Sequence, residues 1–166
     1  MKKCLLVMAL AFLLTGCSAR ETLETLGDGY DTPVMAPVGQ LELKLPQEAV
    51  AAAMEDPDAG KLYLCDGYTL TVQTMESGDL NETLRQLTGY GKEQLTVMET
   101  KQEGHRRLET VWTAAGEGGD QIGRAVILDD GSYHYAVTVM TDAQTAGSLT
   151  AVWQSVLDSV TISHTE

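Results

Sequence analysis

The chain has 166 residues, of which 43% are hydrophobic and 21% are charged, and these proportions exclude a largely disordered or multi-domain protein. Acidic residues outnumber basic residues by 24 to 11, which gives a formal net charge of −13 at pH 7. This negative balance excludes nonspecific binding to nucleic acid, because the phosphates would be repelled.

The N-terminus has the organisation of a secretory signal peptide. Lys2 and Lys3 precede an unbroken apolar run from Cys4 to Leu14, and small, polar residues follow at Thr15 and Gly16. A helix over this run would cover roughly 16 Å, about half of a hydrocarbon core near 30 Å thick. The run is therefore too short to anchor the protein by itself, and another feature must retain the mature chain at the membrane.

The residues that close this segment are Leu14, Thr15, Gly16 and Cys17, and together they resemble the lipobox of bacterial lipoproteins. The resemblance implies a signal peptide over residues 1–16, a diacylglycerol on the Cys17 thiol and cleavage just before that residue. An ordinary signal peptide that ends near a cysteine is the alternative. Two or three acyl chains form a stable anchor, so the expected location is the extracytoplasmic face of the cell membrane.

Cysteine usage indicates how the exported domain is stabilised. Cys4 leaves with the signal and Cys17 is acylated, so Cys65 is the one thiol left in the mature chain. A single thiol forms no intramolecular disulfide. The apolar surroundings of Cys65 favour a small buried hydrophobe over a catalytic thiol, and the fold must depend on its core.

Residues 17–40 have the composition of a flexible tether. Bulky apolar residues are few from Ser18 to about Gln40, and glycine and proline recur. A coil of about 23 residues has a root-mean-square reach of roughly 25 Å. The tether would therefore hold a single globular domain, residues 41–163, clear of the lipid head groups.

The first half of this domain predicts strands joined by short helices. Alternation predicts half-buried strands from Leu41 to Leu45 and around Tyr68 to Val72, with another from Lys61 to Cys65. A short helix is expected from Gln47 to Met54, ended by Pro57. A further helix follows, with a cap at each end and apolar residues on one face. These signals are Asp79 and Glu82 at its start, Leu80, Leu84 and Leu87 on the face, and Gly89 at its end.

The second half predicts a meander of hairpins and a final helix. The strands are expected at Leu95 to Glu103, Arg106 to Ala115, Gln121 to Leu128 and Tyr133 to Met140, with glycine-containing turns between them. Thr141 with Gln144 then forms a capping box. An apolar stripe of Leu149, Val152, Trp153, Val156 and Val160 marks the helix, and Thr161 and Ile162 form a short edge strand.

This order of elements predicts an α+β domain in which an antiparallel sheet is flanked by helices. This order of elements is similar to that of the Mog1/PsbP-like fold over residues 41 to 163. The resemblance rests on the position and the hydrophobic pattern of stretches such as Tyr68 to Val72 and Trp153 to Val160. The resemblance implies an α/β/α sandwich, and accessory or assembly factors without a shared catalytic site. Fold analogy alone does not assign a function.

The core of the mature domain is expected to consist of leucine, valine and methionine side chains together with a few aromatic rings. The aromatic members are Tyr63, Tyr68, Trp112 and Trp153. Tyr133 and Tyr135 share a strand face with apolar residues, which favours burial of both.

Sequence motifs predict no catalytic residue, metal ligand or cofactor. A Gly-x-Ser-x-Gly nucleophile turn is absent, and His105, His134 and His164 are too dispersed for a zinc site, so surface histidines are expected. Asp129 and Asp130 are adjacent in a turn, where their carboxylates should diverge rather than share a proton.

These observations favour a membrane-anchored extracytoplasmic lipoprotein whose noncatalytic domain binds a partner or assists the assembly of an envelope complex. The expected partners are the lipid bilayer, through acylated Cys17, and an envelope protein that is cationic if charge drives the association. A small-ligand or cation-binding protein is one alternative. An enzyme whose carboxylates converge only in three dimensions is another.

Overall fold

The structure, a computed structural model, describes residues 39–54, 59–116 and 118–163. Its strands are β1 (Gln40–Glu42), β2 (Val50–Ala52), β3 (Lys61–Cys65), β4 (Tyr68–Glu76), β5 (Val97–Gln102), β6 (His105–Gly116), β7 (Gly119–Asp129), β8 (Tyr133–Asp142) and β9 (Thr161–Ser163). Its helices are α1 (Leu80–Thr88) and α2 (Ala146–Asp158), and a 3₁₀ turn spans Lys92–Gln94.

The framework is a seven-stranded antiparallel sheet in the order β2-β3-β4-β8-β7-β6-β5, and β1 pairs with β9 in a separate two-stranded sheet. After β4 the chain passes through α1 to the far edge of the sheet and then returns by hairpins, which brings β8 next to β4. The β5–β6 turn has positive φ at Glu103 (51°) and Gly104 (90°), the combination that a tight two-residue hairpin requires.

The larger core cluster lies between the sheet and α2. Val72, Val137 and Val126 form one row across β4, β8 and β7, and α2 contributes Trp153 to the same cluster. The Trp153 ring meets the Tyr68 ring edge to face, with 6.2 Å between centroids. Alternate residues along each strand face this side, as the alternation predicts.

The second cluster lies on the opposite face, under α1. Ala136, Ile127 and Leu108 form the neighbouring row of the sheet and pack with Leu84 of α1. The helix begins after Asp79, whose Oδ1 accepts a hydrogen bond from the Asn81 N–H at 3.0 Å. The helices thus cover opposite faces, and the predicted α+β sandwich is confirmed.

The helix expected from Gln47 to Met54 is wrong. Val50–Ala52 is instead the edge strand β2, paired with Leu62–Leu64 of β3. A helix of about eight residues is marginal in water, whereas the neighbouring strand supplies hydrogen-bond partners at once. Pairing therefore outweighs the helix preference of the alanines.

The start of α2 also differs from the prediction. Thr141 does not cap the helix, because it still belongs to β8, where it pairs with Ile122 and its hydroxyl donates to the Gly67 carbonyl. The helix begins one turn later, after Thr145. Its stripe is correct at Trp153, which is 4% exposed, but Val152 is 39% exposed.

The two-stranded sheet corrects another boundary. The strand predicted from Leu41 to Leu45 ends at Glu42, and Leu45 is exposed. The short C-terminal strand is confirmed, since Ile162 pairs with Leu41. Gly39, immediately upstream, is buried, and its N–H donates to the Tyr135 hydroxyl at 2.7 Å.

Candidate interaction surface

Strand β6 is twice as long as the strand that pairs with its outer side. It has 12 residues against 6 in β5, and the β5 register ends at the pair Val97 and Thr110. Strand β7 pairs with β6 as far as Gly116. Residues 111–116, here called the β6 edge, therefore have a paired strand on one side only among the described residues.

Tyr90 indicates which main-chain groups of the β6 edge face outward. Its hydroxyl donates to the Thr113 carbonyl at 2.9 Å, so this carbonyl points away from β7. Main-chain polar groups alternate in direction along an antiparallel strand, and Ala115 therefore has the same outward orientation. Both residues are exposed.

The β6 edge lacks two of the features that usually protect a free strand, charge and proline, and the Tyr90 hydroxyl covers only its Thr113 carbonyl. Its sequence is Val-Trp-Thr-Ala-Ala-Gly, with no charged residue and no proline, whereas exposed edges are commonly short, charged or interrupted by proline. By contrast, β2 has 3 residues, and β5 carries Glu99 and Lys101. Strand β4 also extends past its outer partner, at residues 73–76, but that run ends in Glu76. Among the described strands of the large sheet, the longest uncharged run with a partner on one side only is at residues 111–116.

Apolar side chains and two shallow cavities flank this edge. Met98 is 58% exposed and Val111 is 57% exposed, although methionine was expected in the core. A cavity of about 210 Å³ is lined by Thr96, Met98, Glu109, Thr110, Val111 and Arg124. A cavity of about 380 Å³ is lined by Tyr90, Gln94, Leu95, Thr96, Val111, Trp112 and Thr113.

The charges next to the first cavity are paired with one another. Glu109 accepts a hydrogen bond from Arg107 at 2.9 Å and another from Arg124 at 3.0 Å. Burial acts to raise the pKa of the Glu109 carboxyl, but the two guanidinium groups outweigh it, and the pKa is lowered. Arg107 also donates to the Leu157 carbonyl near the end of α2. Asp158, 3.8 Å from Arg107, supplies the second negative charge, so the apolar surface borders a network of two arginines and two carboxylates.

A separate polar cluster surrounds His134, beneath the start of α1. His134 is 2% exposed, so the expectation of a surface histidine is wrong here. Its Nδ1 lies 2.7 Å from Thr83 Oγ1, and its Nε2 lies 3.4 Å from Ser77 Oγ and 3.7 Å from Asp129 Oδ2. Burial lowers the pKa of the imidazole, and Asp129 only partly opposes this effect.

The geometry around His134 differs from that of a nucleophilic triad. A triad places the hydroxyl and the carboxylate on opposite ring nitrogens, whereas Ser77 and Asp129 both lie nearest Nε2. The hydroxyl on the opposite nitrogen belongs to Thr83, which is only 5% exposed and therefore has no room for a substrate. Asp129 is also held by Arg106 at 3.0 Å and by the Gly131 N–H at 2.8 Å. The cluster therefore joins α1 to the β7–β8 hairpin.

The adjacent carboxylates diverge as predicted. Asp130 Oδ1 accepts from the N–H groups of Ser132 and Tyr133, at 2.8 and 2.7 Å. Its Oδ2 accepts from the Tyr135 hydroxyl at 3.0 Å, while Asp129 faces the His134 cluster. Burial raises the pKa of Tyr135 to about 12. Asp130 and Asp129 thus stabilise the hairpin from two sides.

Cys65 is half-buried against the larger core cluster. Burial raises the pKa of its thiol, which favours the protonated form over the nucleophilic thiolate. This environment fits a packing role better than catalysis.

The predicted lipid-attachment residue Cys17 and the cleavage-motif residues Leu14, Thr15 and Gly16 lie outside the described residues, as does His164. Within the described ranges, no three His, Cys, Asp or Glu side chains are grouped closely enough to hold a metal ion. No helix in those ranges has both the length and the apolar character needed to cross a membrane.

Comparison with known proteins identifies solved structures with a similar fold. No protein-family model and no curated protein matches the chain. LpqN of Mycobacterium tuberculosis, a protein involved in cell envelope biogenesis, aligns with a TM-score of 0.53 at 9% identity, over 76% of this chain and 85% of LpqN.

Two further solved structures align over almost their whole length. The cyanobacterial PsbP protein of Synechocystis has a TM-score of 0.54 at 8% identity, over 76% of this chain and 95% of that protein. A variant of Mog1 has a TM-score of 0.51 at 13% identity, over 75% and 92%. At such low identity these similarities establish the fold alone, and the described domain has the Mog1/PsbP-like fold.

Proposed function

We propose that this chain is a lipid-anchored extracytoplasmic lipoprotein whose folded domain binds an envelope protein and catalyses no reaction. The observation that carries the binding role is the β6 edge, a run of six uncharged strand residues that begins with exposed Val111 and lies beside exposed Met98. Exposed apolar patches mark interaction sites, and free edges invite pairing with another chain.

The anchoring role is supported by the sequence at residues 14–17. The lipobox-like residues end a signal-like segment with two lysines and an apolar run of the appropriate length. LpqN, which shares the fold, is involved in cell envelope biogenesis. An envelope location for this chain agrees with that similarity.

The anchor is tested by replacing the residue that would receive the lipid. Cys17→Ser removes the only thiol in the lipobox-like motif, so we expect loss of labelled fatty acid and release from the membrane fraction. Cys65→Ser is the matched control, because its thiol packs against the core, and this variant should retain both properties. Retention of Cys17→Ser after high-salt and carbonate washing, or an unlabelled wild type, would refute the anchor.

The binding role is tested by formaldehyde crosslinking in intact cells. We expect one or a few defined adducts of the full chain that survive stringent washing, and no turnover when the purified protein is screened for activity. Absence of any adduct above background, combined with measurable turnover of a substrate, would replace this proposal with an enzymatic one.

A further inference from the structure

We propose that the β6 edge is completed by an extended segment of the partner protein, which adds a strand beside residues 111–116. This inference rests on the proposed binding function and names the part of the domain that performs it. Strand addition supplies main-chain hydrogen bonds for affinity and side-chain positions at every second residue for specificity.

The orientation of the main chain favours a strand over a helix or a small molecule. Thr113 and Ala115 direct their main-chain groups away from β7, at a spacing that matches the main chain of another strand. In the free protein the Tyr90 hydroxyl donates a hydrogen bond to the Thr113 carbonyl. An added strand would replace this hydroxyl with a main-chain N–H and enter the 380 Å³ cavity that Tyr90 lines.

The side chains beside the edge define the character of the segment. Residues of the added strand that face the α2 side of the sheet would lie next to Met98 and Val111, both more than half exposed, so apolar or β-branched residues fit there. At about 3.3 Å per residue, six paired positions span roughly 20 Å.

Charge distinguishes a foreign partner from a second copy of this chain. Each copy has a formal net charge of −13, so two copies would repel each other. A basic protein is attracted instead by the acidic chain as a whole, and the ion pairs beside the β6 edge add no net charge of their own. The occupant is therefore an extended segment of another, basic protein.

Photo-crosslinking in intact cells tests this assignment on the full-length chain. A photoreactive residue replaces Met98, which lies beside the β6 edge without belonging to it. The test variant is Ala115→Pro, because proline removes an outward N–H and blocks an added strand while the inward β6–β7 bonds remain. Ala115→Val is the matched control, because it keeps the N–H and the strand preference.

We expect a single partner adduct in the wild type and in Ala115→Val, and at least a ten-fold lower yield in Ala115→Pro at equal thermal stability. An unchanged yield in Ala115→Pro, no adduct at position 98, or an adduct with a second copy of the chain overturns the inference. If formaldehyde still recovers a partner in those cases, the proposed binding function stands and only the strand assignment fails.

If Ala115→Pro lowers the thermal stability, hydrogen exchange tests strand addition without a substitution. Hydrogen exchange of the wild-type amides at Thr113 and Ala115 is compared with and without the recovered partner. Slowing by at least ten-fold in the complex supports strand addition. Unchanged exchange at both amides overturns it.

Discussion

Gly123 on β7 lies directly against the ring of Trp112, and this contact predicts that Gly123→Ala destabilises the protein. A Cβ built on Gly123 would lie 2.3 Å from Cζ2 and 2.5 Å from Cε2 of Trp112. Carbon atoms pack at about 3.5 to 4.0 Å, so the indole must move by more than 1 Å. Trp112 is only 5% exposed and its rigid ring cannot bend away.

The expected cost follows from overpacking. Forcing a methyl group into a filled site costs about 1–3 kcal/mol, a large part of the roughly 5–15 kcal/mol that stabilises a domain. For a domain of this size, each kcal/mol lowers Tm by about 3–6 °C. Gly123→Ala should therefore lower Tm by several degrees and shift tryptophan emission to longer wavelength.

Gly147→Ala is the matched control for this substitution. Gly147 is exposed in α2, and a Cβ there meets nothing within 4 Å. The same change in an open helical site should stabilise the protein by about 0.5–1 kcal/mol. Urea unfolding followed by circular dichroism measures both variants. If Gly123→Ala remains within about 0.5 kcal/mol of the wild type, the close packing of Trp112 on Gly123 is refuted.

Two further predictions concern α1 and the residues beneath it. Asp79→Ala removes the side-chain cap of α1 and should cost about 0.5–2 kcal/mol in urea unfolding; an unchanged midpoint would contradict the cap. The folded-state pKa of His134 is below its unfolded value near 6.5, so the folded protein binds fewer protons and stability falls as pH decreases below about 6.5. His134→Gln should flatten this dependence between pH 6.5 and 5.5, and an equal slope in both proteins would exclude a buried neutral imidazole.

The elements that the sequence predicts correctly are those with a strong local period. The α1 signals lie within a few residues of each other, and Asp79 and Gly89 cap the helix in the structure. The four-strand meander was predictable because a glycine-containing turn separates each strand from the next. Tyr135 and Trp153 are buried as their periodicity indicates.

The errors occur where a distant segment determines the outcome. Val50–Ala52 becomes a strand because β3 pairs with it, and Thr141 remains in a strand because β7 extends to meet it. His134 alternates like any strand residue, and it is buried because α1 packs above it through Thr83. Such effects depend on register and docking, which a single sequence does not reveal.

The unpaired part of β6 was also not predictable from the sequence, although one feature of the sequence pointed to it. The predicted ranges Leu95 to Glu103 and Arg106 to Ala115 have nearly equal lengths, which implies a fully paired hairpin. In the structure the pairing stops at Val97 and Thr110. The available sequence signal was the uncharged run at residues 111–116, which suits a covered strand and not an exposed one.

This mismatch is the physical basis for assigning a function to the β6 edge. In a foldable sequence the residue types, their pattern and their charges are expected to suit the structural environment of each position. Positions where they do not suit it are often functional sites. Strand β6 contributes Leu108 to the core cluster under α1, and the β6 edge buries Trp112 on one face of the sheet. The outer side of residues 111–116 faces no strand in the described part of the chain, yet it has the composition of a paired strand. A second chain that pairs there would give this composition its structural purpose.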